Sequence, residues 1–130
     1  MASKANKPGA LRKRLLSFGY AFEGWWHVLR TQPNAWIHAG VSVVVFILAI
    51  WLRLGRLEWA ILLLTTMLVW MAEFANTALE DLVDLAMPDH HPLAKTAKDV
   101  AAATVLVGAL GAILVGLLIL GPPLWARLTE

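Results

Sequence analysis

Glu73, Asn76, Glu80 and Asp84 recur along one predicted helix at steps of three, four and four residues. At about 3.6 residues per turn, these steps put all four side chains on one face of the helix. The preceding residues, 57–72, are apolar apart from one glutamate and two threonines. Because ionisable groups at membrane depth are costly, an acidic face that follows so apolar a segment predicts a functional site.

The residues after this face carry the charges that a phosphate-handling site needs. A predicted loop contains two aspartates, two histidines and two lysines, namely Asp89, His90, His91, Lys95, Lys98 and Asp99. Carboxylates suit Mg²⁺, and lysine ammonium groups suit phosphates. A base at the membrane edge, acids for a metal and cations for a polyphosphate together indicate phosphoryl transfer to an acceptor dissolved in the bilayer. The sequence has no glycine-rich Walker loop, and no histidine pair has the i, i+4 spacing that would favour zinc.

Three other interpretations of the acidic helix are open at this point. It could be the solvated face of an ordinary amphipathic helix, although the apolar segment before it disfavours that reading. A ring of carboxylates in an oligomer could conduct protons or cations, but the acids cluster at one end of the span. An interaction protein that recruits partners through a basic helix would leave Glu73 and Asn76 without a role.

The composition indicates an all-α integral membrane protein. Of the 130 residues, 59% are hydrophobic, which exceeds the share of about 45–50% in soluble domains, and the mean hydropathy is +0.66. Three segments can cross a hydrocarbon core of about 30 Å, at about residues 35–52, 57–79 and 101–125. Only the third lacks ionisable residues, since the first carries His38 and the second carries carboxylates. We expect one membrane domain over residues 1–130, and the absence of cysteine excludes disulfides.

A basic segment precedes the first span. We expect residues 1–8 to be a disordered tail and residues 9–30 to form an amphipathic helix on an anionic membrane surface, although an ordinary packing helix would show the same pattern. No cleavable secretory signal is apparent. Eight of the eleven basic residues fall before the first span or after the second. The positive-inside rule therefore places the N-terminus and the acidic end of the second span in the cytoplasm.

Three spans offer little interior in which polar side chains could be buried. We therefore expect oligomerisation to shelter Glu73 and Asn76. The third span is suited to close packing, because Gly108, Ala112 and Gly116 recur at four-residue spacing.

Two long segments resemble the signature of the prokaryotic diacylglycerol kinase family, which consists of small membrane lipid kinases. These are E-F-A-N-T-A-L-E-D-L-V-D at 73–84 and D-H-H-P-L-A-K-T-A-K-D-V-A-A-A at 89–103. The similarity extends over roughly residues 12–120 and includes Asn34 with Ile37-His38. The H-P-L-A-K-x-A-K-D wording resembles the branch typical of Gram-positive bacteria, whose members act as undecaprenol kinases.

This resemblance implies a homotrimer in the bacterial inner membrane, with active sites between subunits at the cytoplasmic face and MgATP as phosphate donor. Glu73 matches the family's proton acceptor, Asn76 would position that site, and Glu80 matches the metal-binding carboxylate. The residues that match the family's ATP contacts are Lys13, Tyr20, Glu80, Asp89, His90, His91, Lys98 and Asp99. The expected partners are ATP, a membrane lipid and other copies of the chain, with no nucleic acid. Undecaprenol is the expected acceptor, with diacylglycerol as the alternative.

One motif departs from the family pattern. The family commonly has a glutamate as second metal ligand and an arginine in its E-x-N-x-R-I-H stretch, where this chain reads Q-P-N-A-W-I-H. Gln32 and Trp36 therefore replace those residues. We expect Gln32 to bind the metal through its carbonyl oxygen; the alternatives are compensation by Glu23 or a lower metal affinity.

Overall fold

The computed structural model describes residues 10–129, apart from the side chains of residues 10, 11 and 13, and these residues form four α-helices. The helices are α1 (Ala10–Thr31), α2 (Pro33–Trp51), α3 (Arg56–Ala86) and α4 (Pro92–Thr129). The predicted all-helical fold is confirmed. The predicted tail at 1–8 and the side chain of Lys13 lie outside the described part of the protein.

Helices α2, α3 and α4 are each long and apolar enough to cross a membrane. Large apolar side chains remain exposed along them in the single chain, for example Val43 on α2, Leu64 on α3 and Leu117 on α4. A soluble monomer rarely leaves so much contiguous apolar surface uncovered, whereas in a bilayer the lipid tails cover it. The fold is that of a multi-pass membrane protein.

A corner of one residue joins α1 to α2. Gln32 has an extended backbone with φ −109° and ψ 107°, as expected for a residue before proline, and Pro33 opens α2 at a position where its missing N–H costs nothing. The Trp36 indole Nε1–H donates to the carbonyl oxygen of Leu29 at 2.8 Å. The side chain that stands in place of the family arginine therefore satisfies one of the free carbonyls at the end of α1.

A Schellman motif ends α2 and produces the tight turn into α3. Arg53 has φ 54°, its N–H donates to Ile50 O, and the N–H of Leu54 donates to Ala49 O, both at 3.1 Å. Gly55 then caps α3 with an extended backbone. This turn makes α2 and α3 antiparallel neighbours.

The most extensive helix pairing is between α3 and α4. The loop between them is shorter than the sequence predicted, because α4 begins at Pro92. Lys95, Lys98 and Asp99 therefore lie in the first turns of α4, and the prediction that they belong to a loop was wrong. Proline is favoured at a first helical position, and the N–H of Leu93 donates to His91 Nδ1 at 3.2 Å, so both residues favour an early helix start.

The small residues of α4 face two different surroundings. A Cβ atom on Gly108 would lie 3.8 Å from the Cβ of Ala72 on α3, which is an ordinary contact distance. Gly116 has nothing within 4 Å of such an atom, and it lines an apolar groove together with Ala112. Of the two glycines in this pattern, Gly108 lies close to α3 and Gly116 faces open space.

Candidate functional site

The acidic face of α3 is buried within a single chain at its centre. Glu73 is 1% exposed, Asn76 is 6% exposed, and Thr77 beside them is also buried. The expectation that other subunits must shelter Glu73 and Asn76 was therefore wrong. Helices α1, α2 and α4 all pack against α3, with α4 making the most extensive contact, and together they remove these side chains from solvent.

An aromatic cluster on α1 and α3 closes the space beside Glu73. The ring centroid of Trp25 on α1 lies 5.3 Å from that of Trp70 and 5.2 Å from that of Phe74, both on α3. Trp70 and Phe74 are 5.7 Å apart, and the tilted and edge-on geometries are those that aromatic pairs prefer. The cluster holds the end of α1 against the helix that carries the acidic face.

His38 of α2 faces Glu73. Its Nε2 lies 3.6 Å from Glu73 Oε2, and the side chain of His38 is 14% exposed. Within residues 10–129, both carboxylate oxygens of Glu73, Nε2 of His38 and Oδ1 of Asn76 are buried without a hydrogen-bond partner. Buried polar atoms are nearly always paired, so four unpaired atoms in one place indicate a site that awaits a ligand or a reacting group.

Two amides hold the carboxylate of Glu80. Nε2 of Gln32 donates to Glu80 Oε2 at 2.7 Å, and Nδ2 of Asn76 donates to Glu80 Oε1 at 3.1 Å. The three side chains line a cavity of about 300 Å³, together with His38, Asn34 and Val105. Gln32 therefore contacts Glu80 through its nitrogen, and its predicted role as a metal ligand stays a prediction; a half-turn of its amide would present the oxygen to the same space.

The side chains of this cavity are chemically suited to Mg²⁺. A carboxylate, the carbonyl oxygens of two amides and room for water or phosphate are the ligands that this ion takes, and Oδ1 of Asn76 has no other partner in the described chain. No group of three histidine or acidic side chains in residues 10–129 converges on a metal position. Any metal here would need amide oxygens, water or a substrate phosphate to complete its coordination.

Ion pairs surround the polar cavity at the helix ends. His27 Nε2 of α1 lies 2.8 Å from Asp81 Oδ2, and Lys98 Nζ donates to both oxygens of Asp84 at 2.8 Å. The i, i+4 partner of Lys95 is Asp99. Lys98 and Asp99 thus both have partners within the chain. The Lys98–Asp84 pair joins the start of α4 to the end of α3, and the Lys95–Asp99 pair lies within α4.

Other predicted ATP contacts lie outside this cavity. Tyr20 is 64% exposed on α1, Asp89 and His90 are exposed between α3 and α4, and the ring of His91 caps α4. None of them lines the polar cavity or the apolar groove. Glu23 is exposed on α1.

An apolar groove of about 460 Å³ continues from the polar cavity between α2, α3 and α4. His38, Ile37 and Ala109 line both spaces, and the groove extends along the helices to Leu120 and Leu124. A polar cavity and an apolar groove therefore meet at His38, beside Glu73. A polar group fits the cavity while an apolar chain that is attached to it occupies the groove.

Sequence reasoning assigned no role to His38, His27 or Asp81. His38 had a usable signal, since it is the sole ionisable residue of the first predicted span. The pairing of His27 with Asp81 joins residues 54 positions apart, and no local pattern reveals such a contact.

Comparison with known proteins identifies similar chains over most of the sequence. The family described as prokaryotic diacylglycerol kinase matches residues 19–120. The chain is 44% identical to a diacylglycerol kinase of Synechocystis sp. over 92% of its own length and 75% of that protein. It is 40% identical to the undecaprenol kinase of Bacillus subtilis over 88% and 93% of the two chains, and 30% identical to the diacylglycerol kinase of Escherichia coli K12 over 85% and 90%.

Proposed function

The chain belongs to the prokaryotic diacylglycerol kinase family and is an ATP-dependent lipid kinase, and from this premise we propose that it transfers the γ-phosphate of MgATP to the hydroxyl of undecaprenol. Glu73 is the proton acceptor. The observation that supports this role is that His38, whose Nε2 lies 3.6 Å from Glu73 Oε2, lines both the polar cavity and the apolar groove, so Glu73 lies directly behind the point where the two spaces meet. A lipid hydroxyl at this junction lies between a cavity for phosphates and a groove for its chain.

The reaction needs a base for the hydroxyl proton and groups that stabilise the phosphates. A carboxylate that accepts the proton lets the lipid oxygen attack the γ-phosphorus as the bond to the leaving ADP breaks. Glu80, Gln32 and Asn76 would hold Mg²⁺ through oxygen atoms. When bound, this ion neutralises charge on the transferring phosphoryl group.

ATP binds at the polar end of the bundle, with Lys13, Tyr20, Asp89, His90, His91, Lys98 and Asp99 as its contacts. Support comes from the basic residues near the start of α4 and from the exposure of Tyr20, Asp89 and His90. Residues that face away from their own cavity can serve the site of a neighbouring subunit. We therefore retain the homotrimer, with each site completed by a second copy.

The polar end faces the cytoplasm of a bacterial cell whose inner membrane holds the protein. Eight of the eleven basic residues lie on that side of the predicted spans. Leu15, Phe18 and Phe22 of α1 are exposed, and this supports a surface helix whose apolar side enters the lipid.

The acceptor assignment has support for each of two lipids. Undecaprenol has a single linear chain, and the apolar groove from His38 is a single continuous space. The Bacillus subtilis relative is named an undecaprenol kinase, whereas the Synechocystis relative is named a diacylglycerol kinase. Diacylglycerol is therefore the second candidate.

A competition assay tests the acceptor. Purified protein in micelles receives equimolar undecaprenol and dioleoylglycerol with ATP labelled at the γ-phosphate, and both products are counted. We expect label mainly in undecaprenyl phosphate and none when EDTA removes the metal. Preferential labelling of phosphatidic acid would assign the chain to the second candidate instead.

A further inference from the structure

We propose that His38 is a positioning residue for Glu73, and that its imidazole orients the carboxylate and stabilises the ionised form that accepts the lipid proton. This inference rests on the proposed role of Glu73 as the base. It goes beyond that role because it assigns a function to a second helix, α2, which bears none of the predicted catalytic residues.

The side chain of His38 lies beside Glu73 and can carry a positive charge or donate a hydrogen bond. Nε2 of His38 lies 3.6 Å from Glu73 Oε2, and both oxygens of the carboxylate lack a hydrogen-bond partner within residues 10–129. A carboxylate that is 1% exposed has lost nearly all of its water. A buried charge of this kind is strongly disfavoured unless a cation or an N–H donor stands beside it, and the imidazole can provide either.

The ring of His38 is itself held in place. It lies edge-on to the indole of Trp70, with centroids 6.4 Å apart and planes at 66°. Trp70 in turn packs against Trp25 and Phe74. His38 is therefore fixed by its backbone on α2 and by an aromatic wall on α3, so it can present the same nitrogen to Glu73 through repeated turnovers.

Few other charges reach Glu73. On α3, Glu80 lies two turns away on the same face, and its carboxylate is bonded by the amides of Gln32 and Asn76. On α1, His27 is bonded to Asp81, and on α4, Lys98 is bonded to Asp84. His38 is accordingly the one group among the described residues that favours the ionised carboxylate at close range.

Two substitutions separate charge stabilisation from packing. His38→Leu keeps an apolar side chain of similar size, and we expect it to lower kcat about 100-fold with little change in KM for ATP. The acidic limb of its pH–kcat profile should move to higher pH, because the base has lost the neighbour that favours its ionised form. His38→Gln provides one N–H donor. Its kcat, and the pH of its acidic limb, should therefore fall between the values of the leucine variant and those of the unaltered protein.

His27→Gln is the matched control, because it removes a histidine that bonds a carboxylate outside the buried site, and its pH profile should be unchanged. In a Glu73→Gln background, His38→Leu should produce no further loss. If Glu73→Gln is fully active, the proposed base is wrong, whatever His38 does.

Two results would overturn the role of His38 alone. One is a leucine variant with unaltered kcat. The other is a leucine variant whose kcat falls while its acidic limb stays in place, which assigns His38 to packing. Size-exclusion chromatography in micelles monitors folding; should the leucine variant fail to fold, the same two criteria apply to His38→Gln.

Discussion

The two ends of the helix bundle are held together by different kinds of contact. At the turn end, where α2 passes into α3, four apolar residues form a buried cluster: Ala49, Leu52, Leu62 and Leu120. The rings of Phe46 and Trp59 stack beside it at 5.9 Å, and the guanidinium of Arg127 lies 5.6 Å from the ring of Trp51. At the site end, around Glu73 and Glu80, buried polar side chains replace this cluster.

The difference separates stability from reactivity. At the turn end, the Schellman motif provides hydrogen-bond partners for the backbone groups at the end of α2. Among residues 10–129, the site end has four buried polar atoms without partners. Each such atom costs free energy of folding, so their concentration beside Glu73 and His38 is expected of a site that stabilises a reacting group. The apolar cluster at the other end offsets that cost.

The site end also depends on weak links between helices. The pairs His27–Asp81 and Lys98–Asp84 are exposed, and exposed ion pairs contribute little to stability. The aromatic cluster around Trp70 supplies the stronger contact there. Exposed pairs exchange partners readily, and this would let Lys98 leave Asp84 for a phosphate.

Leu62→Ala should break the turn end with the largest effect on stability. Leu62 is 3% exposed, and truncation of a buried leucine lowers the free energy of unfolding by about 2–5 kcal/mol. Leu62 also lines the apolar groove, so the KM for the lipid should rise, while the kcat of the folded protein at saturating lipid should be unchanged. Denaturant unfolding in micelles measures the first quantity, and Leu64→Ala, at an exposed site on α3, is the control. Loss of kcat without loss of stability would contradict the separation of the two ends.

Gln32→Glu should make the stability of the site end depend on Mg²⁺. It replaces the amide donor to Glu80 with a second carboxylate, so without Mg²⁺ the free energy of unfolding should fall by about 1–3 kcal/mol. With Mg²⁺ the added carboxylate is a better ligand than an amide, and half-saturating Mg²⁺ in the kinase assay should fall several-fold. Glu58→Gln, at the opposite end of α3, should change neither quantity. An unchanged half-saturating Mg²⁺ in the Gln32 variant would remove position 32 from the metal site.

Arg53→Gly should have the smallest effect on stability of the three substitutions, and it should increase the free energy of unfolding rather than lower it. Arg53 has φ 54°, a conformation that glycine adopts without the steric cost of a Cβ atom, so the variant should gain about 1 kcal/mol. Thermal unfolding in micelles should show a higher Tm with kcat unchanged. Arg53→Ala, which keeps the Cβ atom, should show no such gain. A lower Tm for the glycine variant would mean that the turn does not need this conformation.

Periodicity predicted the helix that carries the site. The steps between Glu73, Asn76 and Glu80 determine their common face through helix geometry alone, and hydropathy identified the three long apolar helices. Such features depend on residues close in sequence. They required no knowledge of how the helices pack.

Packing decided the features that the sequence did not predict. The burial of Glu73 within one chain depends on how the other helices pack against α3, and its proximity to His38 joins two helices whose pairing has no local signature. The start of α4 at Pro92 depends on a cap by His91 and on links to the end of α3. The nitrogen that Gln32 presents to Glu80 follows from the orientation of one amide, which composition does not determine.

The central claim is that a buried carboxylate on α3 accepts the lipid proton. Its most direct test is the rate of γ-phosphate transfer to lipid by Glu73→Gln, measured beside the unfolding curve of the same variant in micelles. The amide has nearly the same shape but cannot accept the proton, so the account predicts a decrease in kcat of about 10²- to 10⁴-fold with stability retained or increased. Full activity of the folded Gln variant would contradict it.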